Sequence, residues 1–250
     1  MKKMLALLFT ILPLSLFSAE SNTAQQGSLE IYPKWYSNDD MTIQGNIGIK
    51  KILQQSDWVT YYVKPSTTYA LSRNWAVHGG LGFYYTDNKT FDNRREWRPF
   101  VGLSHFTNFT DKWGMSSYFR TEERFRNNIS SDNKSETTRL RLRLRNSYKL
   151  NPTSTPHSWH KMTLDLEGFR SYNSDTLIEA SYDYETRVAV GAERIMGKAR
   201  KVRFELAWKY KTQPREISNS DINTVFFKIQ YFPSWGSRHR NKLRDRDIDE

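Results

Sequence analysis

The stretch TTRLRLRLRNSYKL, residues Thr137 to Leu150, decides the fold. Arg139, Arg141, Arg143 and Arg145 alternate there with Leu140, Leu142 and Leu144. On a helix, alternate residues would scatter at steps of about 200° around the axis, whereas a strand sends successive side chains to opposite faces. The segment is therefore read as a strand with one arginine face and one leucine face. A nucleic-acid patch or nuclear-targeting run needs the charge, but not a leucine at every second position.

The same alternation recurs along the chain. Trp75, Val77, Leu81, Phe83 and Tyr85 share one face, with Ala76, His78, Gly80, Gly82 and Tyr84 on the other. Trp97, Val101 and Leu103 oppose Arg94, Glu96, Arg98 and Ser104, and Phe119 and Phe125 oppose Tyr118, Arg120, Glu122, Arg124 and Arg126. Leu164 and Leu166 oppose Asp165 and Glu167. Further strands are predicted over 178–190, 202–210, 224–232, 28–36, 41–52 and 58–69, with Pro33 and Pro65 weakening two of them. That makes eleven. Bacterial barrels usually carry an even number, so the expectation is ten if the Pro33 segment stays outside the ladder, or twelve if one strand is missed.

Two-faced strands can bury their apolar sides in a sandwich or turn them out to lipid in a barrel. The predicted strands are longer than the five or six residues usual in soluble sheets and close to membrane-strand length. Trp58, Trp75, Trp97, Trp113, Trp159 and Trp208 sit near strand ends, as interfacial girdles require. The fold class is thus all-β, a transmembrane antiparallel up-and-down β-barrel of about 10–12 strands over residues 28–232. Short links (LSRN, NFTDK, MGKA) alternate with longer polar ones (NNISSDNKSE, QPREISNSD), which puts the longer set outside and the end of the last strand in the periplasm.

Residues 1–19 have the two lysines, apolar run and small residues of a secretory signal peptide, although Phe17 departs from the small-residue rule for a cut after Ala19. Residues 20–27 form an N-terminal segment, and 233–250 a charged periplasmic tail. There is no cysteine, hence no disulfide framework and no lipid-attachment site. The formal charge is +11; without Lys2 and Lys3, 36 basic and 27 acidic side chains leave +9. For an exported chain this favours acidic sugars, lipids or anionic polymers over nucleic acid. The expected location is the outer membrane of a Gram-negative bacterium, with membrane lipid as the main partner.

The series WAVHGGLGFYY, RREWRPFVGL, YFRTEERFR, RLRLRLRNSYKL and LDLEGFRSY resembles a family known only as a domain of unknown function with arginine- and glutamate-rich strands, a resemblance that covers residues 58–232. The segment WRPFVGLSHFTNFTDKWGMSSYFR is similar, more weakly, to the oligogalacturonate-specific porins and the sialic-acid channel akin to them. Those are monomeric barrels with an arginine-rich lumen, and the similarity implies passage of acidic oligosaccharides. The tail after Phe232 and the many lumenal carboxylates depart from that pattern and stand against free anion conduction.

An arginine at the lipid midplane would cost about 2–4 kcal/mol, so in a barrel the leucines face lipid and the arginines face the lumen. The expected solute contacts are Arg120, Arg124, Arg126, Arg139, Arg141, Arg143 and Arg145, because guanidinium forks grip carboxylates in two-pronged geometry. Glu96, Glu122, Asp165, Glu167, Arg203 and Glu205 are expected to form an ion-pair network among them. The functional expectation is a monomeric porin-like channel for small acidic solutes. The alternatives are a closed structural barrel plugged by that network, and an outer-membrane hydrolase or acyltransferase. Catalysis is disfavoured because Ser104 and His105 point to opposite faces and His78 has no evident partner. No metal or cofactor is expected, since no His/Asp/Glu spacing matches ligand geometry.

Overall fold

The computed structural model describes residues 23–53, 58–88, 92–131, 133–150, 158–173, 183–197, 200–211 and 222–236. The predicted signal peptide and the tail beyond residue 236 lie outside the described residues. The described chain is all strand and turn. β1 (Thr23–Ile31) and β2 (Lys34–Tyr36), β3 (Met41–Gln44) and β4 (Ile47–Ile52), and β5 (Trp58–Val63) and β6 (Ser66–Ala70) are halves of three long strands. Eight uninterrupted strands follow: β7 (Trp75–Asn88), β8 (Arg94–Asn108), β9 (Trp113–Asn128), β10 (Lys134–Lys149), β11 (Trp159–Asn173), β12 (Asp183–Gly197), β13 (Arg200–Lys211) and β14 (Ile222–Gly236).

Two of the interruptions contain a proline, Pro33 and Pro65, which cannot donate to a ladder; the third, at Gly45 and Asn46, lies between them in the sheet. The ladder nevertheless continues past them. Pro33 accepts from the Gly45 amide at 2.9 Å, and Pro65 from the Leu81 amide at 3.1 Å. Asn46 and Lys64 exchange two backbone bonds of 3.0 and 2.8 Å. The chain therefore crosses the barrel eleven times. Both expected ways of restoring an even count are corrected: the Pro33 segment stays in the ladder, and no twelfth strand joins it among the described residues.

Parity then dictates how the barrel closes. In a meander, successive strands reverse direction, so the first and the eleventh must point the same way. β14 indeed pairs parallel with β1 and, beyond Pro33, with β2, placing Gln230 opposite Glu30 and Trp235 opposite Trp35. All other pairings are antiparallel. β1 starts five residues before the expected Ser28, and β14 runs four beyond the expected Phe232.

The strand ends that flank 37–40, 71–74, 109–112, 150–158 and 198–199 lie at one rim, the turn rim, and those that flank 53–57, 89–93, 129–133, 174–182 and 212–221 at the other, the loop rim. The first three turns share one device. The Asn38 carboxamide oxygen accepts from the Asp40 and Met41 amides at 2.9 and 2.8 Å. The Ser72 hydroxyl takes Asn74 and Trp75, and the Thr110 hydroxyl takes Lys112 and Trp113, all within 3.3 Å. A short polar side chain thus completes the turn bonds that the backbone leaves open. At the loop rim, Asp92 accepts from the Ser131 amide at 3.1 Å and ties two neighbouring loops together.

Ser131 hydrogen bonds, side chain first, hold the Asp92 carboxyl below its usual range. A depressed carboxylate stabilises the fold above its unfolded pKa, and that contribution fades as pH falls through the folded value. The protection of the Ser131 amide, the slowing of its exchange relative to an unstructured peptide at the same pH, is therefore expected to fall progressively below about pH 3.9. Unchanged protection of that amide at pH 2.5 would show that the clip does not depend on the Asp92 charge.

The interior is inverted relative to a soluble protein. Among described residues, 29 buried side chains are polar or charged and 12 are apolar, while 32 large apolar side chains are exposed. Leu142, Leu164, Leu166, Phe119 and Phe83 are all at least 41% exposed on the outer wall, so a sandwich core is excluded. Trp75, Trp97, Trp113 and Trp159 face outward as expected and are joined by Trp35 and Trp235. Trp58 is a correction: it shares a face with buried Thr60 and Tyr62, and so turns into the mouth of the lumen.

Candidate functional site

Leu140, Leu142 and Leu144 point out of the barrel and Arg139, Arg141, Arg143 and Arg145 point in, as the alternation of β10 requires. Register then selects partners from the neighbouring strands. Arg145 lies opposite Asp165 and makes a two-pronged bond of 2.7 and 2.5 Å to it. Arg141 donates to Glu167 at 2.8 Å. Arg139 and Arg120 converge on Glu122, each at 2.7 Å. Glu96 gathers Arg98, Arg124 and Arg126 at 2.7, 2.8 and 3.2 Å. Glu205 holds Arg187 and Lys228 at 2.8 and 3.1 Å, and Arg203 is paired with Glu193. Arg143 is buried with its guanidinium 5.3 Å from the Tyr118 ring centre.

Every site residue read from the sequence therefore lies on the lumenal face. Six of the seven arginines predicted as solute contacts, Arg120, Arg124, Arg126, Arg139, Arg141 and Arg145, are already engaged with the carboxylates predicted as a network, so the two sets form one lattice. The sequence reading missed Glu30, Lys50, Lys64, Arg187, Glu193 and Lys228. Arg187 and Glu193 alternate with Val188, Val190 and Ala192 in β12, and Glu30 sits between Leu29 and Ile31, so the face pattern was available for all three.

The lumen has two different halves. Towards the turn rim, every crossing contributes a side chain that is at most 5% exposed. They are Tyr32, Thr42, Thr68, His78, Ser104 and Tyr118, then Arg145, Asp165, Glu193, Arg203 and Phe232. His78 is a correction here, because it bonds Thr68 Oγ1 through Nδ1 at 3.0 Å and Ser104 Oγ through Nε2 at 2.7 Å. Ser104 and His105 do face opposite ways, the latter outward against Trp75 at a 4.5 Å ring separation. Gly102 makes room for this layer: a Cβ there would stand 2.8 Å from the Tyr118 ring.

Towards the loop rim the lumen opens into a cavity of about 540 Å³. Among described residues, sixteen basic side chains and four acidic ones line it. Glu122, Asp165, Glu167 and Glu193 reach the same basic groups from behind, which still leaves a surplus of eight positive charges. One quadrant is built on aromatic faces. Tyr62 and Tyr84 stack at 5.4 Å, Arg98 lies 3.8 Å from the Tyr84 ring centre, and Lys50 lies 5.2 and 5.8 Å from the two rings.

No curated protein and no solved structure matches the chain. The similarity to oligogalacturonate porins gains no support, as no porin family matches. A family model does match residues 23–221, nearly all of the barrel wall and its inward lattice. The chain belongs to the family described as a protein of unknown function (DUF2490).

Proposed function

We propose that this is an outer-membrane barrel that binds an acidic solute, such as an acidic oligosaccharide, in a lumenal cavity open at the loop rim and closed towards the turn rim. The apolar outer wall supports the membrane location, and the longer connections support an outward-facing loop rim. The observation that carries the reading is the surplus of basic charge in the cavity. Like charges confined in a medium of low dielectric repel strongly, and anions from solution relieve that cost. The aromatic faces beside Lys50 and Arg98 favour a ring-bearing anion over a bare ion.

Binding without passage is the part that departs from a porin. Barrels of about eight strands are filled by side chains or hold one small ligand, while those of sixteen or more leave a channel. An eleven-stranded barrel lies between, and here the buried layer near the turn rim favours closure. The network of ion pairs, read from the sequence as an alternative to conduction, then serves as the floor of the cavity.

Calorimetric titration of the detergent-purified barrel with oligogalacturonate, against a neutral maltooligosaccharide, tests the reading. The acidic sugar is expected to bind, the neutral one not, and affinity should fall steeply at 1 M salt, where screening acts within about 3 Å. Lys50→Ser is expected to lower affinity about tenfold or more, the loss of one charge-assisted contact. Equal binding of both sugars, or steady single-channel conductance in a planar bilayer, would overturn it.

A further inference from the structure

The outer wall carries a feature that the lumen does not explain. Strand register near the loop rim aligns Tyr61, Tyr85, Arg95 and Lys134 in one outward row across β5, β7, β8 and β10, with Asn127 of β9 between the two basic residues. The next row towards the membrane centre reads Val63, Phe83, Trp97 and Phe125. An open trough of about 1050 Å³ runs between these rows, around the wall rather than into the lumen. Trp97 and Phe125 stack at 4.5 Å along one bank. Phe83 and Trp97 remain 46% and 47% exposed, so nothing in the barrel covers the trough. Glu136 ends the lower row, two strands away from Arg95.

A stripe of aromatic rings capped by an outward-facing arginine is an amphiphile's negative image. Membrane strands tilt by about 45°, so a row perpendicular to them is inclined by a similar angle, and an acyl chain can descend along it. The basic end of the upper row stays at the rim, where headgroup phosphates lie. Arginine recognises a phosphate through two parallel bonds, which a lipid tail or a neutral sugar does not offer.

We propose that this trough is a binding site for an acylated, phosphorylated saccharide lipid of the outer leaflet. Its acyl chain lies over Phe83, Trp97 and Phe125, and its phosphate is held by Arg95, with Lys134 two strands further along the same row. The proposal rests on the membrane reading above, but not on the lumenal cavity.

Native mass spectrometry of the full-length barrel in mild detergent tests it, with diphosphorylated lipid A, its dephosphorylated form and phosphatidylglycerol as probes. The phosphorylated glycolipid is expected to be retained about tenfold more strongly than the dephosphorylated one, the effect of a single basic contact or a little more. Arg95→Ser should erase that difference in a barrel that still folds, since Arg95 is exposed. Trp97→Ser should weaken retention of both glycolipids. Lys50→Ser, which tests the cavity, should leave lipid retention unchanged, so either reading can fail alone. Equal retention of the two glycolipids, an unaffected Arg95→Ser variant, or phosphatidylglycerol held as strongly as the phosphorylated glycolipid would overturn the proposal.

Discussion

Replacing Glu30 with alanine is expected to cost the barrel about 3–5 kcal/mol, the range for removing one partner from a buried charged cluster. Glu30 is 7% exposed and stands at the parallel seam, the one place where closure joins the two ends of the ladder. Its carboxylate accepts from the Tyr32 hydroxyl at 2.5 Å, the Tyr62 hydroxyl at 2.6 Å and the Gln230 amide at 2.8 Å. Those three donors come from the first, the third and the last crossing, so one carboxylate ties the seam from both sides. Without it, three buried donors lose their acceptor at once, each at a further cost.

The seam is also where folding is most exposed. Glu30 and Gln230 are 200 residues apart, and contacts of such separation form late because loop closure must precede them. Parallel pairing is slightly weaker per residue than antiparallel. Glu30→Ala should therefore both lower the urea midpoint and slow the appearance of the heat-modifiable band during refolding. Glu30→Gln, which keeps an acceptor oxygen, should recover part of both. A Glu30→Ala variant with wild-type midpoint and refolding rate would show that the seam is held by its backbone ladder alone.

These residues mark where the sequence is legible and where it stops. The faces of β10 could be read because leucine suits an apolar surrounding and arginine a polar lumen, and that preference acts residue by residue. Partners could not be read the same way. Asp165 and Arg145 were each assignable to the lumen, but their pairing depends on the register of β10 against β11, which is set by all the bonds between them. The partners of His78 are not legible along the chain because Ser104 lies 26 residues away and meets it through the β7–β8 pairing. Trp58 was placed in the girdle because aromatics at strand ends usually are, whereas its direction follows from the parity of Thr60 and Tyr62. The strand count was right at eleven, and the rule that barrels are even obscured the parallel closure that eleven strands require. The cavity was hidden for a different reason: whether inward arginines leave space depends on the summed volume of side chains from all crossings, and no single strand carries that information.

The Arg145–Asp165 pair separates a floor residue from a binding residue. Arg145 is 2% exposed and Asp165 1%, with both oxygens of the carboxylate engaged. Asp165→Ala should destabilise the barrel by about 3–5 kcal/mol, because it leaves a guanidinium buried against the positive surplus of the cavity. Replacing both partners, Arg145→Met with Asp165→Leu, should be near neutral in stability, as well-packed apolar pairs often are in place of buried ion pairs. A cycle of urea midpoints across the two single variants and the double one measures the coupling directly. If Arg145 belongs to the floor, the double variant also keeps its affinity for oligogalacturonate and stays silent in bilayers. A tenfold loss of that affinity in a stable double variant would instead place Arg145 among the groups that hold the anion, and would move the base of the site one layer deeper into the barrel.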